Sequence, residues 1–432
     1  MSTASAPPAG GVCPVGDGVQ PANIVRFDTH DPAIAADPFP TYAMMRRQCP
    51  VVWSENWGGF WVATGHPEVA RAGRDTTLHS GYELADGTVQ GISIPSLGQT
   101  DRLIPLELNA PQAQKYRKLI SSFYSPKQVQ ARRAEILELT TESIDEIIEN
   151  GSGDIVDAVT ERVSSILAMR DIGIAEHRWR EMDAEVQKAL VNQTHDLAAA
   201  QQASQLICLH LLEEIEARRD GQQGGLVGDL IHATIDGQPL SDEDITAMMY
   251  LLLLGIHPTS TLLSTSLWYL ARHPRLKATL VADKTLIPQA TEEFLRWVSP
   301  VQATSRTATT DTTIAGHHIR AGERVLLSWA GANRDERLYS DADHIDLSRD
   351  TGAHLAFGSG MHYCTGASIV RAIFAVVLEQ VLTRMPDYRL SDEDAIEWFP
   401  DLSSVFGITR LPITFTPGPR LSRRPTMIGV SG

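Results

Sequence analysis

The chain has 432 residues, of which 43% are hydrophobic and 21% are charged, and its formal net charge is −16 at pH 7. This length corresponds to one large or two ordinary domains, and the hydrophobic content supports a sizeable core. The negative charge argues against a nucleic-acid binder. Because no run reaches about 18 uninterrupted apolar residues, the sequence predicts no membrane span.

The cysteines and the N-terminal residues predict the cellular compartment and the number of domains. Four cysteines, at positions 13, 49, 208 and 364, are widely spaced and include no C-x-x-C pair. They predict no disulfide framework and therefore a cytoplasmic protein. Residues 1–22 are rich in Ala, Pro and Gly and lack a basic start or a long apolar run, which indicates a flexible tail rather than a signal peptide. Residues 23–432 are then expected to form a single domain.

The first part of the chain predicts short elements. Residues 37–42 open a short helix, and residues 51–53 and 60–64 read as two strands of a hairpin. Residues 80–105 show no clear period and are rich in Gly and Ser, so they predict a long loop. Pro111 is placed to start a helix that runs to residue 124.

The middle of the chain is dominated by helical patterns, and strands return near its end. The helical patterns cover residues 128–150, 155–170, 178–219 and 241–272. A strand-rich stretch with turn signals follows Ser299. The predicted fold class is therefore mainly α with a smaller β portion, whose β-rich parts lie near residues 50–65, 300–330 and 385–415.

The pattern over residues 241–272 predicts a buried central helix. Ser241 is a good N-cap, acidic residues follow it in the first turn, and an apolar run continues through Leu254. Pro258 lies inside this pattern. Proline has no N–H and its ring clashes with the carbonyl four residues earlier, here that of Leu254, so we expect a kink at this point.

One cysteine lies in a glycine-rich loop just before a helix. Cys364 follows Gly358 and Gly360, precedes Gly366, and is succeeded by apolar residues at helical spacing over 369–381. The glycines allow sharp turns close to something flat and bulky, and a helix N-terminus favours a thiolate. Such a thiolate can ligate haem iron. The alternative is a buried structural cysteine after an ordinary loop.

The segment from Phe357 to Ala367 resembles the cysteine-ligand loop of the cytochromes P450, and the resemblance extends from about residue 30 to about residue 415. It includes Glu293-x-x-Arg296 and the later segments Asn333-Arg334-Asp335 and Asp346-Leu347-Ser348-Arg349. The resemblance implies the cytochrome P450 fold with a long central helix over haem b, and Cys364 as the iron ligand. It also implies a structural Glu–Arg–Arg network with Arg349 as third member.

The resemblance further implies which residues surround the haem. A buried propionate needs charged partners. Many family members have an additional histidine where this chain has Ala113, so one propionate contact is absent or replaced. The residues expected to bind the cofactor are Arg117, Arg306, His354, Phe357, His362, Cys364 and Gly366.

The central helix departs from the family pattern. Counting back from Arg272-His273-Pro274 aligns Gly255 with the family's glycine, and His257 and Pro258 then occupy the positions of the acid and alcohol that relay protons. Thr259, one position later, is the available hydroxyl, so His257 and Thr259 are the catalytic candidates. His257 has three possible roles: proton relay, binding of a substrate carboxylate or other polar group, or a hydrogen bond within the helix bundle.

The substrate contacts are predicted by region. Residues around the distal face of the haem mix aliphatic and polar side chains, which suits a small, largely apolar ligand. The predicted contacts are Gly255, His257, Thr259, Ala303, Thr304, Val405 and Phe406.

By resemblance, the predicted function is a monooxygenase that inserts one oxygen atom from dioxygen into such a substrate, in secondary metabolism. Since no flavin or iron–sulfur motif is present, electrons would come from a ferredoxin and its reductase. Lys115, Lys118 and Arg371 either form a basic patch for an acidic ferredoxin or are merely solvated. One branch of the family, the fatty-acid peroxygenases, has Arg-Pro where this chain has His257-Pro258. The alternatives are therefore peroxide-driven oxidation or radical coupling, and a non-catalytic haem binder.

Overall fold

The computed structural model describes residues 24–95, 102–193, 195–219, 224–402 and 405–422. The predicted tail, residues 1–22, lies outside this part of the chain. Within it the helices are α1 Pro32–Ala36, α2 Phe39–Gln48, α3 His66–Ala72, α4 Gln112–Ser121, α5 Pro126–Ala131, α6 Arg133–Asp145, α7 Glu161–Ile172, α8 Trp179–Val191, α9 Leu197–Arg219, α10 Gly225–Ile231, α11 Asp242–Leu254, α12 Ile256–Arg272, α13 Pro274–Ala282, α14 Ile287–Val298, α15 Trp329–Asn333 and α16 Ala367–Arg384.

The strands are short and mostly paired in hairpins. They are β1 Ile24–Val25, β2 Val51–Ser54, β3 Phe60–Ala63, β4 Leu78–His79, β5 Tyr82–Glu83, β6 Val89–Gln90, β7 Ser152–Asp154, β8 Thr234–Ile235, β9 Gln238–Pro239, β10 Ala303–Ala308, β11 Thr312–Ile314, β12 His317–Ile319, β13 Arg324–Ser328, β14 Arg389–Leu390, β15 Glu397–Trp398, β16 Ile408–Arg410 and β17 Pro412–Thr414. The largest sheet has the strand order β1-β2-β3-β13-β10-β4. The structure is thus mainly helical with a smaller β portion, as the sequence predicts.

Two local predictions can be compared directly with the structure. The hairpin is confirmed, because β2 and β3 pair antiparallel with Val51 opposite Ala63. The single helix predicted over 178–219 is wrong, because α8 ends at Val191 and α9 begins at Leu197. The Asp196 carboxylate accepts a hydrogen bond from the Ala199 N–H at 3.0 Å, and a short acid in this position caps a new helix.

The central helix is interrupted where proline predicts an interruption. α11 ends at Leu254 and α12 begins at Ile256, and the Gly255 N–H bonds to the Leu252 carbonyl three residues back. Ser241 caps α11 by accepting the Asp244 N–H. In the described part of the chain, one helical stretch, Asp242–Arg272, has the length and hydropathy that a membrane span requires. It packs in the core of the helical bundle, where its apolar side chains contact those of neighbouring helices.

The predicted Glu–Arg–Arg network is present and buried. Arg296 donates two hydrogen bonds of 2.7 Å to the Glu293 carboxylate, and both side chains are fully buried. Arg349 adds a third at 3.0 Å, and the Asp346 N–H a fourth. Arg296 also donates to the Asn333 carbonyl at 2.9 Å. The network therefore ties α14 to the segment that precedes the cysteine loop.

The cysteines differ in state. Cys49 is disulfide-bonded, which the spacing of the cysteines did not predict. Cys208 and Cys364 are thiols. The only cysteine of these that lies beside a helix start and a glycine-rich loop is Cys364.

Candidate active site

The cysteine loop turns sharply at two of its three glycines. Gly358 and Gly360 have φ values of +77° and +73°, in the left-handed region that favours glycine. The Cys364 N–H bonds to the Phe357 carbonyl at 2.9 Å and closes the loop. Gly366 has φ −82°, so the expectation of a special turn there is wrong, and it serves as the residue before α16.

Gly360 also lets the loop pack closely against the end of α3. A Cβ atom at this position would lie 2.4 Å from the Gly73 carbonyl oxygen and 2.9 Å from the Arg74 Cα. Gly360→Ala is therefore expected to destabilise the fold by about 3 kcal/mol, from the left-handed backbone and the clash together. Chemical unfolding of the purified variant measures this value.

The matched control for that substitution is Gly322→Ala. Gly322 has φ +85°, but a Cβ atom there would meet nothing within 4 Å. Its expected cost is only the backbone contribution of about 1–2 kcal/mol. Equal costs at the two glycines would contradict the close packing of the cysteine loop on α3.

The surroundings of Cys364 favour the protonated thiol over the thiolate. Burial raises its pKa, while the Gly366 N–H and the positive charges of Arg117 and Arg371 oppose that shift. The effect of burial on the pKa is the larger one, so the helix start alone does not produce the expected thiolate. A metal ion bound to the sulfur would produce it, because a coordinating thiol is deprotonated outright.

Three of the predicted propionate partners gather near this loop. Arg117 donates a 2.6 Å hydrogen bond to the Tyr363 carbonyl. His362 contacts the Ser80 hydroxyl at 3.0 Å through Nε2. Burial, followed by the positive charges of Arg306 and Arg117, lowers the pKa of His362 to about 3. The His362 imidazole is therefore uncharged near neutral pH, beside two guanidinium groups.

Arg306 is the most deeply buried of these cations. Its side chain is 3% exposed, and it donates only to the Thr304 hydroxyl and the Ser305 carbonyl. Burial lowers its pKa to about 10, and the charge of Glu107 opposes this. Within the described ranges, no carboxylate lies within ion-pair distance of the guanidinium.

Arg117, Arg306 and His362 fit a haem and are poorly explained without one. Among the described residues, the His362 Nδ1 atom is buried and has no hydrogen-bond partner. An uncompensated buried guanidinium is costly. Two propionates would supply the negative charge and the acceptors that Arg117, Arg306 and His362 lack, beside the one thiol that a haem iron would need.

His354 has a different partner from the one expected. Its Nε2 atom lies 3.0 Å from Glu292 Oε2. Arg371 binds the same carboxylate through two hydrogen bonds of 2.6 and 2.9 Å and lies over the Phe357 ring. Burial raises the pKa of Glu292, but the bonds from His354 and Arg371 outweigh it and lower that pKa to about 2. The ion-paired group of Glu292, His354 and Arg371 therefore packs against the cysteine loop at Phe357.

The residues beyond the helix break are buried, and the Thr259 hydroxyl is not free. It donates to the Gly255 carbonyl four residues earlier, at 2.9 Å. Thr259 is 5% exposed and His257 is 3% exposed. The hydroxyl is therefore already bonded to the helix backbone.

His257 faces two acids rather than a polar cavity. Its Nε2 atom lies 3.7 Å from Asp183 Oδ1 on α8, and the ligand atoms of Glu161, Asp183 and His257 are all within 4.8 Å of one another. Burial raises the pKa of both Glu161 and Asp183 and lowers that of His257. Because two acid side chains already face the imidazole, this neighbourhood disfavours binding of a substrate carboxylate by His257.

The other predicted substrate contacts separate into two groups. Thr304 accepts the Trp329 indole N–H at 3.1 Å, and Ala303 precedes it at the start of β10. Val405 lies in the main core, next to the segment that packs on α12. Phe406 belongs to a smaller cluster, with its ring 5.7 Å from that of Phe39.

Sequence reasoning missed several residues of this region. Ser80 and Glu292 hold His362 and His354, yet neither lies in a chemical motif. Asp183 did leave a signal. It occupies the buried face of α8, three residues before Val186, where helical periodicity calls for an apolar residue.

A helical bundle with one cysteine on a tight loop, a buried cation cluster beside it and a kinked central helix defines a haem-thiolate protein. The sequence profile described as Cytochrome P450 matches residues 164–394. The chain is 31% identical over 373 residues to Cytochrome P450 130 of Mycobacterium tuberculosis, which spans 84% of this chain and 91% of that protein. The chain belongs to the cytochrome P450 family.

Two further comparisons support the same family. The chain is 30% identical over 388 residues to the Steroid C26-monooxygenase of Mycolicibacterium smegmatis, covering 87% of this chain and 92% of that protein. A solved structure of a mutant of P450 EryK in complex with erythromycin B superposes with a TM-score of 0.80 at 26% identity, covering 91% of this chain and 99% of that one. The protein is therefore an oxidoreductase, a haem-thiolate monooxygenase that acts on a small molecule with a redox partner.

Proposed function

We propose that this protein binds haem b through Cys364 and uses electrons from a ferredoxin and its reductase. It would insert one oxygen atom into a small, largely apolar substrate in the cytoplasm. The observation that carries the proposal is the group of Arg117, Arg306 and His362 beside the cysteine thiol. Among the described residues, no carboxylate pairs with the buried Arg306, and His362 Nδ1 lacks a hydrogen-bond partner.

Different residues of this chain would contact different parts of the cofactor. Arg117, Arg306 and His362 would bind the two propionates, and Phe357 and Gly366 would line the proximal face next to Cys364. His354 serves better as a support of the loop, because its Nε2 atom is already bonded to Glu292. When bound, the haem supplies iron that activates dioxygen, and the thiolate donates electron density to it.

The break in the central helix would form the distal side of the site. Gly255 and Thr259 lie at this break, and Thr304, Ala303 and Val405 are the proposed nearby contacts. The hydroxyl of Thr259 already donates to the Gly255 carbonyl, so it is not available as a donor to a substrate at the break. This supports a largely apolar substrate held by few polar contacts.

The surroundings of His257 argue against the peroxide-driven alternative. In that alternative the residue before the proline binds a substrate carboxylate, which then helps to cleave peroxide. Glu161 and Asp183 already lie beside the His257 ring, where such a group would have to bind. The catalytic roles of His257 and Thr259 in proton transfer remain predictions.

The substrate class is proposed from relatives and from the lining. One relative is named for the oxidation of a steroid, and one structural neighbour contains erythromycin B, so both comparisons concern organic small molecules. A role in secondary metabolism accords with the neighbour that contains erythromycin B.

The ferredoxin would dock on the proximal face. Arg371 is already paired with Glu292 and Lys115 with Asp236, so Lys118 is the cation there that remains available and exposed.

The test begins with a spectral screen of steroids, macrolides and fatty acids for a substrate-induced spin-state shift. The best ligand is then incubated with ferredoxin, its reductase, NADPH and ¹⁸O-labelled dioxygen, and in parallel with hydrogen peroxide alone. We expect one labelled oxygen atom per product with the electron-transfer system. Strong turnover with peroxide and none with ferredoxin would reject the proposal.

A further inference from the structure

A cluster of three buried ionisable side chains joins three helices beside the break in the central helix. Glu161 is the first residue of α7, Asp183 lies on α8, and His257 lies in the first turn of α12. Asp183 and His257 are 5% and 3% exposed, and Glu161 is half-buried. Each of the three has one nitrogen or oxygen atom that lies within 4.8 Å of the corresponding atoms of the other two.

One of the two ring nitrogens of the imidazole in this cluster lacks a partner. Among the described residues, His257 Nε2 is a buried atom with no hydrogen-bond partner. Its distance of 3.7 Å from Asp183 Oδ1 is too long for a hydrogen bond. Two ligands at about 2.1 Å from a tetrahedral zinc ion lie about 3.4 Å apart, so this spacing matches a bridging ion better than a direct contact.

We propose that Glu161, Asp183 and His257 form a binding site for a divalent transition-metal ion of the zinc class. One imidazole and two carboxylates are ligands that Zn²⁺ accepts, whereas Mg²⁺ and Ca²⁺ prefer oxygen alone. The ion neutralises two carboxylates that burial would otherwise penalise and gives the Nε2 atom a partner. Because Glu161 is half-buried, it provides the side from which the ion enters.

The surroundings of the cluster support the ligands. The Ser165 hydroxyl donates to Asp183 Oδ1 at 3.0 Å and orients that carboxylate, as outer partners of metal ligands do. The Phe399 ring lies edge-on to the imidazole at 5.8 Å and fixes its plane. Asp157 lies nearby on the exposed side, where Arg180 pairs with it and keeps it out of the ligand set. An ion here would fasten α8 to α12, beside the break where the substrate is proposed to bind.

The proposal predicts that the haem-loaded, full-length protein retains zinc. The protein is treated with a chelator, incubated with Zn²⁺, desalted and analysed for metal content. We expect one zinc ion per chain, and a rise of about 3 °C in the unfolding temperature when zinc is present at about 100 times its Kd. Uptake should weaken as pH falls, because zinc displaces protons from these ligands.

Three variants make the test specific. Asp183→Asn and His257→Gln are each expected to weaken zinc binding by about 100-fold or more, because removing even an outer partner costs about 10–100-fold. Asp157→Asn, which removes a neighbouring acid outside the ligand set, should bind zinc like the unchanged protein. Circular dichroism establishes that each variant is folded. Absence of zinc uptake by the unchanged protein, or uptake that survives both ligand substitutions, would overturn the site without affecting the haem assignment.

Discussion

Glu293→Gln is expected to lower the free energy of unfolding by about 3–5 kcal/mol, because it leaves two arginines without their buried counter-charge. The carboxylate accepts hydrogen bonds from Arg296, Arg349 and the Asp346 N–H, and both it and Arg296 are fully buried. The loss should appear as a lower midpoint in urea unfolding of the purified protein, followed by circular dichroism.

The same substitution at an exposed ion pair is the control for this effect. Arg272 and Glu393 form a 2.6 Å pair whose side chains are well exposed. Glu393→Gln should change the free energy of unfolding by less than about 1 kcal/mol. If Glu293→Gln proved equally mild, the buried network would not be the support of the cysteine loop that the structure indicates.

Cys364→Ala is expected to abolish oxygen insertion, to the level of a protein-free reaction. The Cys364 thiolate would supply the electron density that haem-thiolate chemistry requires, and no other cysteine lies in the loop before α16. Some haem should still be retained, because Arg117, Arg306 and His362 would continue to bind its propionates. Product formation with the electron-transfer system and haem content by pyridine extraction measure the two effects separately.

Cys208→Ala is the matched control for that prediction. Cys208 lies on α9 and carries the second of the two thiols in the described part of the chain. Its substitution should leave turnover, haem content and the thiolate spectrum unchanged. A Cys364→Ala protein that turned over like the Cys208→Ala protein would show that the iron ligand lies elsewhere.

The parts of the site that the sequence predicted are those encoded by local patterns. The cysteine loop and the E-x-x-R pair are each contained within one short segment, so the residue types and their spacing carry the geometry. The helix break at Gly255 was predictable for the same reason, since Pro258 acts on the carbonyl of the preceding turn. In each case the chemistry acts over a few residues.

What the sequence missed depends on contacts between distant segments. The partners of His257 come from α7 and α8, so only tertiary packing shows that the histidine faces acids rather than a substrate. His354 likewise contacts Glu292, which lies 62 residues earlier in the chain, and sequence spacing does not predict such a contact. Gly366 shows a different limit. Glycine permits a left-handed turn but does not require one, and here its φ is −82°.

The central claim is that Cys364 binds haem iron as a thiolate within the buried cation cluster. The reduced protein under carbon monoxide tests it most directly, by its difference spectrum against the reduced protein alone. We predict the strongly red-shifted Soret band of a thiolate-ligated haem, and its loss in Cys364→Ala. A band at the shorter wavelength of a haem without thiolate ligation in the folded, unchanged protein would contradict the account.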